Sequence, residues 1–450
     1  MRTSKPEPLF ELPPASSSGG EGRPLTMIDL FSGAGGLSEG FRQQGFQVVL
    51  GSDVDPDACA TYKLNFPEAT TVCGDVRDPA IKRQILDASS GVDVVAGGPP
   101  CQAFSQVRNH SRIIDDPRNS LYREFVDLVN QIRPKAFVME NVPGMAQMGV
   151  VEQVVEDLEL GGLYRVEPPA PVDAVDFGVP QTRKRIVFLG IRADLDVSPP
   201  TLAGSGASAA LSLVRRGKGY YAVEQRGHGS SDYAEMLNDP KDLTIVSVEQ
   251  AISDLRGLEA GRRADEVESK ELRRPQSAYQ RLMRSGAAKV TRNVSVPRIN
   301  QDTVTRLSNI PPGGNHRDLA EEFLARYISG QKWGPSTDSG RLVRAHFYAY
   351  RRLHPSMWAW TLNTKADCAY HYNAHRALSV REFARIQSFP DRFVFTSDPT
   401  RGNIPGRIDG GPTHSRYRQV GNAVPPLLAA AIAREVAEVV WKACRGTSAT

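Results

Sequence analysis

"LTMIDLFSGAGGLSEGFRQQGFQVVLGSD", residues 25–53, reads as strand, turn, helix and strand in immediate succession. Leu25, Met27, Ile28 and Leu30 form an apolar run that stops at a glycine-rich turn, residues 33–36. "LSEGFRQQGF" has helical character, and "QVVLGSD" is a second short apolar strand. The pattern then recurs. "VDVVAGGPP" (92–100) is a strand that ends in a turn. Leu121, Phe125, Leu128, Val129 and Ile132 follow at helical spacing. "AFVMEN" (136–141) and "RIVFLGIR" (185–192) are two further strands. Short apolar strands alternating with helices imply an α/β fold with a doubly wound, mostly parallel sheet.

The composition sets the bounds. The chain has 450 residues, 40% hydrophobic and 24% charged, which suits a globular protein of two domains. A net charge of +4 permits a nucleic-acid partner without arguing for one. The five cysteines (Cys59, Cys73, Cys101, Cys368 and Cys444) are widely spaced and contain no C-x-x-C pair, which excludes a disulfide framework or a structural zinc site. Reduced thiols fit a cytoplasmic protein. No apolar run approaches a signal peptide or a membrane span, so no membrane partner is expected. Residues 1–24, rich in Pro, Ser, Gly and Glu, read as a disordered tail. After residue 193 the pattern becomes irregular. "SPPTLAGSGASAALS" looks like a linker, and the stretch 211–375 carries many arginines (Arg215, Arg216, Arg262, Arg263, Arg273, Arg274, Arg281, Arg284) among interspersed acids. These arginines suit either a second domain's contact face or a solvated surface.

In an open parallel sheet, ligands sit at the carboxyl ends of the strands. The glycine turn after Asp29 lets a ligand approach the backbone, and the helix start behind it favours an anion. It is not the dinucleotide pattern G-x-G-x-x-G: after Gly33 and Gly35 the third position is Ser38, which disfavours a nicotinamide oxidoreductase. Asp53, ending the second strand, and Asp75, in "CGDV", are each placed to bind a nucleoside or to cap a helix. "GGPPCQAFSQ" (97–106) breaks a strand with two glycines and two prolines directly before Cys101. That thiol is either a small buried hydrophobe or a group held out for chemistry. Glu140 ends a strand, where a carboxyl group can act as an acid or form a cap or salt bridge. In "QTRKRIVF", Gln181, Arg183 and Arg185 fall at period two, on one face of an incoming strand.

These blocks occur in the order found in the DNA (cytosine-5) methyltransferases, and the chain resembles that family, in its bacterial or phage form, along nearly its whole length. "DLFSGAGGL" (29–37) resembles the cofactor loop and "GGPPCQAFS" (97–105) the nucleophile loop. "ENV" (140–142) and "QTRKR" (181–185) resemble the catalytic glutamate and arginine blocks. "RALSVREFARIQSFPD" (376–391) and "YRQVGNAVPP" (417–426) resemble the last two. The resemblance implies a Rossmann-like methyltransferase sheet and S-adenosylmethionine as methyl donor. It places Phe31 on the adenine or near the sulfonium, Asp53 on the ribose hydroxyls, and Asp75 on the adenine amino group. Val54 and Val76 then pack on the ring, while Gly33, Gly35 and Leu37 line the methionine end. Leu121, Asn422 and Val424 close the pocket, which requires the C-terminal helix to dock beside the first strand. The implied chemistry is methylation of C5 of a flipped-out cytosine in duplex DNA, with Cys101 as nucleophile and Glu140, Arg183 and Arg185 as its catalytic partners.

The expected domains follow. Residues 25–192 form a catalytic, S-adenosylmethionine-binding domain completed by 412–446. Residues 193–411, including the 376–391 block, form a smaller, irregular target-recognition domain. A monomer is expected, functionally paired with a cognate restriction endonuclease. Two features depart from compact members of the family: a long variable region, and extra residues near 396–416 that read as a surface loop. Two rivals remain to be weighed. A transfer-RNA cytosine methyltransferase would carry Cys-Phe-Thr before the ninth block; here Cys368 is followed by Ala and Tyr. A catalytically dead binding module would lack the cysteine or the glutamate, and both are present.

Overall fold

In a computed structural model the protein is described over residues 23–100, 120–147, 149–169, 171–205, 208, 246–315, 318–320, 350–397 and 412–446. Cys101, the expected tail up to residue 22, Arg215, Arg216 and the stretch 398–411 lie outside the described residues. Arg23, the first of them, is tied down by an ion pair to Asp93 at 2.9 Å.

The first half of the chain alternates strand and helix: β1 (Thr26–Leu30), α1 (Gly36–Gln43), β2 (Gln47–Asp53), α2 (Pro56–Asn65), β3 (Thr70–Cys73), α3 (Pro79–Ala88), β4 (Val94–Gly97), α4 (Ser120–Ile132) and β5 (Ala136–Asn141). Next come α5 (Gly144–Gln147), α6 (Val151–Glu159), β6 (Tyr164–Val166), β7 (Pro171–Asp173) and β8 (Lys184–Arg192). The strand order is β3-β2-β1-β4-β5-β8-β6, with β7 pairing β8 off that path. β1 to β5 pair in parallel, so the expected mostly parallel sheet is present. β8 departs from the simple alternation: it runs antiparallel to β5, β6 and β7. An apolar strand buried on both faces reads the same in either direction, so its pattern does not reveal its polarity.

Both faces of the sheet are covered. Met27, Val94, Ala96, Ala136 and Val138 face one core, shared with α1 and the last helix, Pro426–Gly446. Ile28, Leu30, Val95, Phe137 and Met139 face the other, beneath α4 and α6. This sorting by alternate residues is the period of a strand. The helices start where local chemistry starts them. Asp55 and Asp78 cap α2 and α3 by accepting from Asp57 and Ala80 N–H groups, and Pro56 and Pro79 occupy the first helical position.

Two local features shape the ligand edge. The chain leaves β1 through Phe31 at φ 57° and Gly35 at φ 99°. Glycine adopts that backbone freely, whereas a bulky residue is strained there, so Phe31 is a held conformation. The last helix also docks against α1: a Cβ on Gly40 would come within 2.4 Å of Ala429 Cβ. Only glycine permits that approach, and it brings the C-terminal segment beside the first strand–helix unit.

The later segments pack against the same core. Val248, Ile252, Tyr279, Met283 and residues of the helix Val380–Ile386 join the cluster that contains the last helix. A short antiparallel ladder, β9 (Glu266–Glu268) with β10 (Val290–Arg292), stands beside a small cluster of Leu255, Leu258, Leu272, Val294 and Val296. The helix Val380–Ile386 and its flanks carry a set of buried ion pairs. Arg385 donates to both Asp391 oxygens at 2.6 and 2.7 Å and to Asp254 at 3.1 Å. Arg376 makes two bonds of 2.8 Å to Glu382.

Candidate active site and cofactor pocket

The carboxyl ends of β1 to β5 open into one cavity of about 550 Å³. Each strand delivers its own residues to the wall: Phe31 to Gly33 from β1, Ser52 to Asp55 from β2, and Gly74 to Arg77 from β3. β4 leads into Gly98, Pro99 and Pro100, and β5 ends in Glu140 and Asn141. Leu37 and Leu121 join from the helices. Arg183 and Arg185 enter from β8 and the chain before it. Arg418, Asn422 and Val424 arrive from the far end of the chain.

Of the residues expected at the cofactor, ten line this cavity: Phe31, Gly33, Leu37, Asp53, Val54, Asp75, Val76, Leu121, Asn422 and Val424. Gly35 does not. A Cβ there would point into the Phe66 ring at 2.5 Å, so its part is to set the turn and let α1 close on α2.

The Asp53 carboxylate organises the loop around it. One oxygen accepts from Gly33 N and the other from Asp55 N, both at 2.8 Å. Its own carbonyl accepts the Cys59 thiol at 3.3 Å and Gly74 N at 3.0 Å. Burial pushes the Asp53 carboxyl up from its usual value, and the two backbone donors offset only part of that. Val54 beside it is 64% exposed, an apolar side chain presented to an open cavity. Asp75 is engaged by Arg77, whose Nε lies 2.9 and 3.1 Å from its two oxygens and holds that carboxyl below the usual range. Below the turn, Asp29 is fully buried. It accepts from Ser38 N at 3.2 Å and Ser38 Oγ at 2.7 Å, and Ser38 Oγ also meets the Tyr62 hydroxyl at 2.7 Å. Burial pushes Asp29 up to about 7.

At the other end, Glu140 and Arg185 form an ion pair, with side chains 12% and 11% exposed. A Cβ on Gly98 would lie 3.1 Å from Glu140 Oε2, so the glycine–proline turn runs directly over the carboxylate. Asn141 Nδ2 donates to Pro99 O at 3.1 Å and pins that turn. The next residue in the chain is Cys101. Arg183 is used differently from Arg185. It is buried, and its terminal nitrogens donate to Leu362 O at 3.2 Å and Gly421 O at 2.8 Å. Burial, with Arg185 nearby, pushes its guanidinium well below the usual value. Its Nε has no partner among the described residues. Gln181 donates to Gln387 and accepts from Leu362 N at 2.7 Å; the expected strand begins only at Lys184, and Gln181 and Arg183, in the chain before it, tie three distant segments together.

Several wall residues escaped the sequence reading, Arg77, Asn141 and Arg418 among them. Arg77 and Asn141 are neighbours of residues already singled out. Arg418 lies one helical turn before Asn422, a spacing that places both on one face. It donates to Asp55 Oδ2 at 2.7 Å and latches the C-terminal segment to the start of α2.

The pocket suits S-adenosylmethionine. An exposed valine and a leucine wall can take an apolar ring, carboxylates from the adjacent strands β2 and β3 can take hydroxyl and amino donors, and the glycine turn admits the chain of the ligand. A methyltransferase of the doubly wound class is therefore what this fold and edge define. The comparisons narrow the class. The family model of C-5 cytosine-specific DNA methylases matches residues 25–438, and the chain belongs to that family. It is 32% identical over 419 residues to the Type II methyltransferase M.DdeI of Desulfomicrobium norvegicum, covering 92% of this chain and 88% of that protein. It is 32% identical over 459 residues to M.AgeI of Thalassovita gelatinovora, covering 92% and 99%. A solved structure described as a DNA modification methyltransferase encoded within an E. coli prophage superposes with a TM-score of 0.57 at 25% identity, covering 92% of this chain and 99% of that one. The protein is a DNA (cytosine-5-)-methyltransferase, and its family and fold imply S-adenosylmethionine as methyl donor. Among the described residues no helix is long and apolar enough to cross a membrane.

Proposed function

We propose that the protein methylates C5 of a flipped-out cytosine within a specific duplex DNA sequence, through a covalent bond between Cys101 and C6 of the base. The observation that carries this reading is the continuity of the cavity. One wall begins at Phe31 and Asp53 and ends at the Glu140–Arg185 pair, and Gly98, Pro99 and Pro100 lie on it immediately before Cys101.

Asp53, Asp75, Val54 and Val76 would hold the adenosine. Phe31, Gly33 and Leu37 would hold the methionine end, and Leu121, Asn422 and Val424 would close over it. When bound, S-adenosylmethionine supplies an electrophilic methyl group. C5 of cytosine is a poor nucleophile until a thiolate adds to C6 and gives C5 enamine character. The Glu140 carboxyl hydrogen-bonds N3 and offsets the charge that builds in the ring. Arg185 holds Glu140 in place and adds positive charge near the thiolate. Arg183 acts one step back, by fixing the segments around Leu362 and Gly421 that frame the pocket. Once C5 is methylated, a base removes its proton, the C6–S bond breaks and the thiolate returns.

The base is out of reach while stacked, so the cytosine leaves the helix first. The region 193–375 would read the surrounding bases and phosphates from the major groove. The Type II names of the relatives support a functional pairing with a restriction endonuclease. The test is bisulfite sequencing of DNA from cells that express the protein, alongside transfer of labelled methyl groups to duplex DNA and to transfer RNA in vitro. The reading expects 5-methylcytosine at one recurring sequence and label in duplex DNA. Label in transfer RNA alone, or in neither, would overturn it.

A further inference from the structure

We propose that a second cleft, built by Gly261–Asp265, Ser295–Arg298 and Arg416, is a phosphate-binding seat. The cleft has a volume of about 370 Å³ and shares no residue with the cofactor cavity. Four guanidinium groups line it, those of Arg262, Arg263, Arg298 and Arg416, against a single carboxylate, Asp265.

The fold assembles this set from three separate segments. Val296 N donates to Arg262 O at 2.9 Å and Val294 N to Asp265 O at 3.2 Å, so the two lining strands face each other. Gly261, at φ +76°, leaves room for Arg298 to lie across it; a Cβ there would meet Arg298 Cγ at 2.9 Å. Asp265 is already spoken for. One oxygen accepts from Ser295 N at 3.2 Å and Ser295 Oγ at 2.8 Å, and the other from Arg416 Nη1 at 2.8 Å. It therefore aims Arg416 into the cleft without neutralising the rest.

The arginines have donors to spare. Arg262 spends Nη2 on Glu266 O at 3.0 Å and Arg416 spends Nη1 on Asp265, and among the described residues the Nε of each has no partner. Arg263 and Arg298 are exposed and, among the described residues, form no ion pair. Guanidinium charges gathered around one cleft repel one another, and an anion with several oxygens relieves that by bridging them. The planar guanidinium fork matches phosphate geometry. The ligand class is thus a phosphate or phosphodiester group. The DNA backbone is one source of it and a soluble phosphate the other; only the DNA source rests on the function proposed above.

The probes are inorganic pyrophosphate, followed by phosphorus NMR, and a DNA duplex, followed by equilibrium binding across a salt series. The variant is Arg263→Ala with Arg298→Ala, and Lys442→Ala with Arg445→Ala on the exposed side of the last helix is the charge-matched control. The expected result is weaker pyrophosphate binding by the first pair alone, and a salt dependence of DNA binding shallower by about 1 to 2 units of logarithmic slope. Loss of pyrophosphate binding with an unchanged DNA slope still supports the seat and assigns it to a soluble phosphate. Pyrophosphate binding equal to wild type, or an equal loss in the control, overturns the proposal. Methyl transfer by the wild type is scored separately, so failure of the seat and failure of the catalytic reading are distinguishable.

Discussion

At the carboxyl ends of β1 and β2, Asp29 is buried and Asp53 partly buried, and among the described residues no cation is bonded to either. Glu382, in the helix Val380–Ile386, and Asp391, just after it, are buried against Arg376 and Arg385. In the first region burial wins: Asp29 rises to about 7, and Asp53 also lies above its usual value. In the second, burial is again the largest single effect, but the arginine charge and the hydrogen bonds together outweigh it, and both carboxyls fall below their usual values. The difference separates a ligand edge from a structural joint. Asp53 lines the open cavity and can still accept a ligand's donors, whereas Asp29 lies beneath the cavity wall, its Oδ1 without a partner among the described residues. Carboxylates at the joint are consumed by the protein itself. Buried ion pairs of that kind fix a geometry more than they add stability.

The comparison breaks most directly at the joint. Arg385→Ala leaves Asp254 and Asp391 buried without their shared cation, and the expected loss is about 3–5 kcal/mol in urea unfolding. A loss near zero would mean that the joint is not the rigid element described here. At the edge, Asp53→Asn keeps the size of the side chain, removes its charge and sets an amide N–H2 against one of the two backbone N–H groups the carboxylate accepts. The expected change is tenfold or more in the dissociation constant for S-adenosylmethionine by calorimetry, from about 1.5–3 kcal/mol, with a stability loss smaller than that at the joint. If stability fell and affinity did not, Asp53 would belong with the joint. The third effect concerns pH. A carboxyl whose pKa is raised on folding holds its proton better in the native state, so Asp29 makes stability fall as pH rises from its ordinary value of 3.8 to about 7. Glu382 and Asp391 act with the opposite sign: their contribution is present above the ordinary carboxylate range and is lost as acid protonates them. Asp29→Asn should remove a slope of at most about 1.4 kcal/mol per pH unit between pH 4 and 7, measured by urea midpoints across that range. An unchanged slope would place the titrating group elsewhere.

Much of the ligand edge was legible in the sequence: Phe31, Asp53, Asp75 and Glu140 end or follow short apolar strands, while Leu121, Asn422 and Val424 were legible only through the resemblance to the family. The glycine turn, Asp53, Asp75, Glu140 and the C-terminal Asn422 all reached one cavity. The direction of β8 was not legible, since a strand buried on both faces has no polarity in its pattern. β6 and β7, three residues each, are too short to carry a period. Arg376, Arg381 and Arg385 lie in the 376–391 block, whose resemblance to the family does not reveal their burial. They are buried because partners such as Asp254 and Asp391 come from other segments, which local pattern does not encode. The same holds for Arg183, whose acceptors at Leu362 and Gly421 are far along the chain.

The most direct test of the catalytic account is covalent trapping. A duplex carrying 5-fluorocytosine at the methylated position cannot lose the C5 substituent, so the thiol remains attached to C6. In the presence of S-adenosylmethionine, the wild-type protein should give an adduct that survives denaturing electrophoresis, and Cys101→Ala should give none. Equal trapping by Cys101→Ala would contradict the account.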